Sequence, residues 1–352
     1  MRTRVEEDFQ MKTLIARAEH TYASHFSPIA TFERAIFFSW GCSIGDCGFC
    51  YMSTQPEGKR PTDTKRGLPS LFAELILAKN LEWDIGFFTG GIGVYTPREL
   101  REILKVAHEI TGEKLWLSVG PISRPFLEDY LPYIKGVVGS TETINPEVHR
   151  KVCPSKPLAP YERMFRDAKE LGLLRAMTFI VGMGETYDDF ALLKRFIEDY
   201  DINKVHVYGL IPQKGTMFEH TPPPTKEQQV WWIANTRVAF PSLDIQAGIW
   251  TDRVEWVGDL LRAGANSISK FPATKCFGLT SAKELERQVA LSRRTFRSNL
   301  TVLPDVNWDA EVEALSIDHQ MKEKIKEKIE KEYLRKMKKN VEGTILWARA
   351  VS

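Results

Sequence analysis

Short apolar runs alternate with amphipathic stretches along most of the chain, from about residue 35 to residue 290. Apolar runs this short, bounded by turn residues, are typical of buried strands. They predict eight strands, over residues 35–40, 84–89, 114–119, 136–140, 175–181, 205–210, 243–248 and 267–269.

The amphipathic stretches between these runs predict the helices. Their ranges are residues 68–79, 97–111, 124–131, 161–171, 186–200, 225–239, 253–263 and 281 to about 295. Thr96-Pro97 is a typical helix start, and Gly172 stands where a helix would end in a left-handed turn. Eight strand–helix units in one run favour the α/β class and a (βα)8 barrel of the TIM type over a doubly wound sheet. The chemistry is then expected on the loops that follow the strands.

Two terminal segments flank the predicted barrel, which occupies residues 35–303. Residues 1–34 predict a helical extension with a connecting segment, and residues 304–352 predict a C-terminal tail with one charged helix. That helix, over residues 321–340, holds nine Lys and Arg against four Glu. A solvated face is the simplest explanation of so many charges.

Composition narrows the function classes. The 352 residues are 43% hydrophobic and 27% charged, which is ordinary for a soluble globular protein, and the net charge of +2 gives no reason to expect nucleic acid. No apolar stretch is long enough to predict a membrane span, and the N-terminus does not resemble a signal peptide because it carries acidic residues and lacks an apolar core segment. Five cysteines favour a reducing cytoplasm over a disulfide framework. Abundant Lys and Glu would suit a thermophile.

Three cysteines directly follow the first predicted strand. Cys42, Cys47 and Cys50 fall within nine residues, so three soft thiols share the first barrel loop. Such a cluster suits an iron–sulfur centre or a tetrahedral zinc ion. Zinc sites usually need a fourth Cys or His nearby, and none follows within thirty residues. Inert packing cysteines are the remaining alternative.

This loop resembles the cluster loop of radical S-adenosylmethionine (SAM) enzymes, because a strand leads into it and the aromatic Phe49 precedes the third cysteine. The resemblance implies a 4Fe-4S cluster held by the three thiols, with one iron free to bind the amino and carboxylate groups of SAM. It also implies an external electron donor. The chain departs from the usual pattern in having four residues, rather than three, between Cys42 and Cys47.

A glycine pair follows the second predicted strand. Gly90 and Gly91 could form an ordinary tight turn. In radical SAM enzymes, however, the equivalent turn hydrogen-bonds the amino group of SAM, and the resemblance assigns that role here.

Two further strand ends carry the resemblance. The segment around Glu142 and Thr143 is similar to the part of biotin synthase, and of its hydrogenase-maturase and methylornithine-synthase relatives, that handles the ribose and amino group of SAM. The alternative is a helix start with a solvated Glu142. Val181 and Gly182 stand in a turn that resembles the biotin synthase turn beside the adenine.

The resemblance to biotin synthase fails at that family's second cluster, a two-iron sulfur donor held by three cysteines and an arginine. The matching positions here hold other residues: Phe88 or Thr89, Trp116, Ala176 and Asp244. Two other cysteines, Cys153 and Cys276, each lie just past a predicted strand end. They are either unrelated packing thiols or ligands of an auxiliary cluster, which would need additional ligands.

This combination most resembles the radical SAM subunits of the archaeal two-component lipoyl synthases. The likeness implies hydrogen abstraction by a 5′-deoxyadenosyl radical and sulfur insertion into an octanoyl-lysine carrier protein. A second radical SAM subunit would be a further partner, and the basic tail helix could dock an acidic lipoyl domain. Nucleic acid is less expected because aromatic residues are sparse there.

Two alternatives remain beside sulfur insertion. One is a single-cluster radical SAM maturase or mutase acting on a small metabolite, or a non-standard biotin synthase. The other is an iron–sulfur scaffold or electron carrier, which would have no use for the SAM-binding turns. His206 and Tyr208, two residues apart on the sixth predicted strand, either line a substrate cavity or are satisfied core residues.

Overall fold

Eight parallel strands hydrogen-bond in chain order, and the eighth returns to the first. The computed structural model describes residues 4–56 and 58–351, together with the side chains of residues 8–56 and 58–343. The closed sheet confirms the predicted (βα)8 barrel. Its strands are β1 (Ile29–Phe37), β2 (Asp84–Thr89), β3 (Leu115–Ser118), β4 (Ile134–Glu142), β5 (Leu174–Val181), β6 (Lys204–Gly209), β7 (Asp244–Gly248) and β8 (Ser267–Ser269). A short β9 (Thr295–Phe296) pairs with the start of β1.

Helices surround the barrel, and the segments that precede and follow it are also helical. They are α1 (Arg4–His25), α2 (Leu68–Asn80), α3 (Pro97–Thr111), α4 (Arg124–Tyr130), α5 (Pro146–Val152), α6 (Ala159–Glu170), α7 (Phe190–Asp199), α8 (Lys226–Ala239), α9 (Val257–Arg262), α10 (Ala273–Cys276), α11 (Thr280–Leu291), α12 (Trp308–Glu313), α13 (His319–Glu327) and α14 (Arg335–Val351). Short 3₁₀ turns span Tyr51–Thr54, Pro61–Thr64, Tyr187–Asp189 and Thr251–Trp256. None of the helices in the described ranges is long and apolar enough to cross a bilayer.

Helix α3 illustrates how local sequence sets these boundaries. Thr96 and Glu99 form a reciprocal capping box at its start, with Pro97 in the first helical position, and Gly112 ends it at a φ of 70°. Leu100 and Leu104 lie on its buried face. The predicted bounds of this helix are confirmed.

Strand β1 begins at Ile29, not at residue 35 as the apolar pattern predicted. Glu33 and Arg34 interrupt the apolar run, which is why the sequence suggested a later start. Glu33 is nevertheless buried inside the barrel, where its carboxylate is paired. The helix predicted from residue 281 to about 295 also ends earlier, at Leu291, and β9 follows it.

A polar network crosses the barrel interior. Glu33 accepts hydrogen bonds from Lys204 at 2.6 Å and from Gln246 at 2.5 Å, and also from Ser267. Gln246 in turn accepts from Tyr208 at 2.8 Å. The network links β1 to β6, β7 and β8, so the interior beneath Tyr208 is filled by paired polar groups.

Apolar side chains form two cores. The larger lies between the strands and the surrounding helices, and the smaller lies inside the barrel around Phe87, Trp116 and Tyr208. Because successive strand residues point to opposite faces, the first six strands contribute to both cores, whereas β7 and β8 supply apolar residues only to the larger one. The inner core extends to the loops that follow the strands, where Phe49 and Cys47 pack against it.

The C-terminal tail packs along the barrel. A continuous helical segment runs through α13, a wider π-helical stretch at Lys328–Leu334, and α14. Ile325 and Ile329 are buried on its inner face, and α13 and the π-helical stretch contact α2. On the outer face, several of its lysines pair with nearby glutamates, as Lys326 does with Glu313. The charged helix predicted from composition therefore has one apolar face.

Candidate functional site

The three cysteines of the first loop line one cavity at the C-terminal end of the barrel. Cys42, Cys47 and Cys50 line the same cleft, which is open to solvent. Other predicted site residues meet them there, namely Phe49, Gly90, Gly91 and Glu142. Lys156 and Tyr161, which the sequence did not single out, also line it.

The cysteine loop is hydrogen-bonded to the glycine turn that follows β2. The Ser43 amide donates to the Ile92 carbonyl at 2.9 Å, and the Ile92 amide donates to the Cys42 sulfur at 3.3 Å. The Gly91 amide donates to the Ser39 hydroxyl at 2.9 Å. A Cβ atom on Gly91 would lie 1.6 Å from the Gly41 carbonyl oxygen, so this approach requires glycine.

The three thiols differ in their electrostatic surroundings. A hydrogen bond with the Cys153 thiol lowers the pKa of Cys47; burial opposes this effect, and the nearby Lys156 ammonium adds to it. Burial raises the pKa of Cys50 to about 11. Cys42 instead receives the Ile92 amide hydrogen bond. At Cys47, the hydrogen bond from Cys153 and the neighbouring cation both favour the thiolate, the form that binds iron.

Glu142 ends β4 in a left-handed conformation, with a φ of 63°. Its carboxylate pairs with the Lys156 ammonium at 3.0 Å and accepts from the Thr178 hydroxyl at 2.9 Å. Burial alone would lower the pKa of Lys156, but the Glu142 carboxylate raises it above its ordinary value, so the lysine is charged. The alternative of a solvated Glu142 does not describe this buried, paired side chain.

Three predicted SAM-binding residues do not line the cavity. Thr143 is buried, and its hydroxyl has no hydrogen-bond partner among the described residues. Gly182 has a φ of 103°, and its amide donates to the Glu185 carboxylate at 2.6 Å. Val181 is buried at the end of β5. The Glu185 carboxylate thus holds the turn that the sequence assigned to adenine.

Cys153 and Cys276 are not brought together. Cys153 is 1% exposed and belongs to the inner core, beside Cys47. Cys276 ends α10 and packs against the larger core, next to Lys275 and Phe277, whose carbonyls accept hydrogen bonds from the tail residue Asn340. All five cysteines are free thiols.

His206 and Tyr208 both face the barrel interior. The His206 ring stacks on Phe87, with centroids 5.1 Å apart and an interplanar angle of 17°. Tyr208 donates to Gln246 and lies beneath the ammonium of Lys270, whose nitrogen is 4.6 Å from the ring centroid. Lys270, like Lys156, was missed because a single lysine carries no recognisable sequence pattern.

Known proteins share this architecture. The family model of the Radical SAM superfamily matches residues 36–197. An uncharacterised protein of Methanocaldococcus jannaschii is 35% identical over 300 residues, covering 84% of this chain and 83% of that protein. Biotin synthase of Thermotoga neapolitana is 30% identical over 206 residues, covering 55% of this chain and 70% of the synthase. The crystal structure of methylornithine synthase superposes with a TM-score of 0.71 at 19% identity, covering 84% of this chain and 90% of that one.

The chain belongs to the radical SAM superfamily, and its homologues include biotin synthases. Enzymes of this superfamily use a 4Fe-4S cluster and SAM, and they need an electron donor. The likeness to methylornithine synthase shows the barrel fold.

The residues of the cavity fit these cofactors. No three ligating side chains among those described, at residues 8–56 and 58–343, converge on a single ion; the three thiols instead surround a shared space. A 4Fe-4S cluster binds each thiolate through a different iron, so thiols spaced around one cavity suit it. The Gly90-Gly91 turn borders the same space, and the lack of side chains on it leaves room for Phe38 and the cysteine loop to pack directly against the turn.

Proposed function

We propose that this protein removes a hydrogen atom from a substrate bound inside its barrel, with SAM seated in the cysteine-lined cavity. The observation that carries the proposal is the meeting of Cys42, Cys47, Cys50, the Gly90-Gly91 turn and Glu142 around one space above the inner core. With SAM, the reduced 4Fe-4S cluster supplies a 5′-deoxyadenosyl radical, and the barrel keeps water away from it.

In this proposal the chain's own residues bind and orient SAM. The three thiolates hold the cluster, and the Gly90-Gly91 turn accepts the amino group of SAM. Glu142, already oriented by Lys156 and Thr178, accepts hydrogen bonds from the ribose or amino group. The Thr143 hydroxyl, which has no hydrogen-bond partner among the described residues, directly follows Glu142 and would reach the ligand only after a local rearrangement. Phe49, Val181 and Gly182 complete the proposed site by flanking the nucleoside.

The geometry favours a single cluster. An auxiliary cluster held by Cys153 and Cys276 would need both thiols at one place, whereas Cys153 lies beside Cys47 and Cys276 packs in the larger core. We therefore favour a small-molecule maturase or mutase activity in a reducing cytoplasm. Sulfur insertion in lipoyl synthesis, on an octanoyl-lysine carrier with a second subunit, is the second candidate. The similarity to biotin synthases supports it.

Iron content and SAM cleavage test the proposal together. Anaerobically reconstituted protein should bind about four irons per chain and release 5′-deoxyadenosine from SAM when reduced with dithionite. Replacing Cys42, Cys47 or Cys50 by Ala should abolish both. Replacing Cys276 by Ala together with Cys153 by Ser, which keeps a hydrogen-bond donor to Cys47, should leave SAM cleavage intact and the iron count unchanged.

Two experimental results would contradict a single-cluster enzyme that cleaves SAM. About eight irons per chain, falling to about four in the Cys153 and Cys276 double variant, would favour sulfur insertion, and turnover of an octanoyl-lysine peptide to a thiolated product would establish it. Iron-loaded protein that releases no 5′-deoxyadenosine would overturn the proposed chemistry.

A further inference from the structure

Lys270 directly follows β8 and points its ammonium into the barrel. Its φ of 67° is left-handed, a conformation that residues with a side chain seldom adopt. Such backbone conformations persist only where the surrounding structure holds them, and they concentrate at functional sites. Glu142, across the barrel mouth at the end of β4, has the same unusual conformation.

The ammonium of Lys270 is surrounded by aromatic rings. Its nitrogen lies 4.6 Å from the centroid of Tyr208, 5.7 Å from that of Phe87 and 5.8 Å from that of Phe37. Among the described residues it has neither an ion pair nor a hydrogen bond. Aromatic faces attract a cation but do not neutralise its charge. Burial lowers the pKa of Lys270; the Glu142 carboxylate and Cys50 oppose this shift from a distance, and neither makes an ion pair with the ammonium.

Lys270 is partly exposed, and the two buried lysines of the barrel differ from it in being compensated. Lys204 pairs with Glu33 at 2.6 Å and with Asp244 at 2.9 Å, and Lys156 pairs with Glu142 at 3.0 Å. Because a buried charge normally has a partner, the contrast marks Lys270 as a group whose partner comes from outside the chain.

His206 provides a second, independent observation beside Lys270. Its side chain is fully buried, and neither ring nitrogen has a hydrogen-bond partner in the described chain. Buried polar groups are nearly always hydrogen-bonded. The ring stacks on Phe87, which also contacts the Lys270 ammonium. Two unsatisfied polar side chains therefore share one aromatic wall inside the barrel.

We propose that Lys270 and His206 form the anion-binding end of the substrate site, and that the substrate carries a carboxylate there. This inference rests on the proposed function, since it places the substrate within the barrel. One free ammonium matches the single charge of a carboxylate, whereas a phosphate dianion would leave a charge uncompensated in a buried site. The rings of Phe37 and Phe87 would contact an apolar body attached to that group.

This assignment separates substrate classes. An octanoyl chain joined to a carrier lysine ends in a neutral amide, which would leave Lys270 without a counter-ion. A free acid would pair with Lys270 and offer a second oxygen to His206.

Binding of three matched probes tests the inference. Octanoate, octanamide and octylphosphonate are titrated calorimetrically into anaerobic, cluster-loaded protein saturated with S-adenosylhomocysteine. We expect octanoate to bind at least tenfold more tightly than octanamide or octylphosphonate. Lys270→Met should remove that preference, Lys270→Arg should retain part of it, and the exposed control Lys283→Met should leave it unchanged. Lys270→Gly, which suits the left-handed backbone, provides a second charge-free variant that should fold.

Several outcomes would overturn the inference. These are equal binding of octanoate and octanamide, no binding of octanoate, or an unchanged preference in both charge-free variants. Tighter binding of octylphosphonate would indicate a phosphate instead. If Lys270→Met alters the electron paramagnetic resonance spectrum of the reduced cluster or the rate of SAM cleavage without substrate, the lysine compensates the cluster and not a substrate. Because binding is measured without turnover, failure of the radical chemistry would be seen separately.

Discussion

At the scale of single residues, Gly91 is the position where the site has least room. A Cβ atom there would meet the Gly41 carbonyl oxygen at 1.6 Å and the Cys42 Cα at 2.7 Å. Both contacts are backbone atoms, so no side chain can turn aside to relieve them. The spacing between the cysteine loop and the β2 turn therefore depends on this glycine.

We expect Gly91→Ala to push the cysteine loop away from the turn. Iron incorporation should fall severalfold, and the free energy of unfolding should drop by about 2 kcal/mol or more. Iron analysis after anaerobic reconstitution and chemical denaturation measure the two effects. Gly67→Ala is the matched control, because Gly67 has a φ of −62° and its nearest neighbour would be Pro69 at 3.9 Å. Normal iron content in Gly91→Ala would contradict the expectation.

Some residues of the candidate site belong to a short sequence motif, and others do not. The cysteine triad and the Gly90-Gly91 turn could be predicted, because their spacing along the chain reflects their chemistry. Lys156 and Lys270 could not, since each is an ordinary lysine in the sequence. Their importance comes from burial, which arises only when the ends of several strands meet around one cavity.

At the scale of elements, the C-terminal tail has a buried apolar face that its charged composition did not predict. The sequence suggested a charged, solvated helix, yet Ile325, Ile329 and Met337 are buried along one face. The Tyr333 hydroxyl accepts a hydrogen bond at 2.7 Å from Arg66, which also donates to the Phe37 carbonyl at the end of β1. The tail thus supports the strand that leads into the cysteine loop.

Removing part of this apolar face should destabilise the protein. Ile325→Ala deletes a side chain that is 0% exposed, and we expect a loss of about 3 kcal/mol in the free energy of unfolding. Lys324→Ala, at an exposed neighbouring position, should change it by no more than about 0.5 kcal/mol. Urea denaturation compares the two; equal stabilities would mean that the tail does not contribute to the folded barrel.

The elements themselves were largely predictable because the barrel repeats one pattern. The predicted bounds of β2, β8 and α3 match the structure. The predicted start of β1 was wrong because a glutamate such as Glu33 is usually a surface residue. Its burial is made tolerable by partners on β6, β7 and β8, which are distant from it in the sequence. Apolar periodicity cannot reveal a charge that is paired inside a barrel.

At the scale of the whole molecule, the polar interior makes stability depend on pH. Burial, with Lys204 next in importance, lowers the pKa of His206 from 6.5 to about 3; Glu33 opposes the shift and Lys270 adds to it. The unfolded chain therefore binds a proton between these pH values that the folded protein does not. Stability contributed by neutral His206 is fully present above pH 6.5 and declines as the pH falls toward 3.

Replacing this ring should flatten the acid side of the stability profile. His206→Phe keeps an aromatic ring against Phe87 but cannot be protonated. Between pH 6.5 and 5 the wild-type protein should lose about 2 kcal/mol more than this variant. Denaturant titrations at each pH provide the measurement, with the exposed His20→Gln as control. Parallel profiles for His206→Phe and wild type would show that His206 titrates normally.

The internal pairing of Glu33 also has a consequence for biosynthesis. Its partners Lys204, Gln246 and Ser267 follow it by 171, 213 and 234 residues. At ordinary rates of translation, roughly 10 to 50 s pass between the emergence of Glu33 and that of these partners. During this time β1 has no eighth strand to pair with, and a carboxylate on it discourages premature burial or pairing with other chains. The same side chain that stabilises the finished barrel therefore protects the nascent one until the last strand is made.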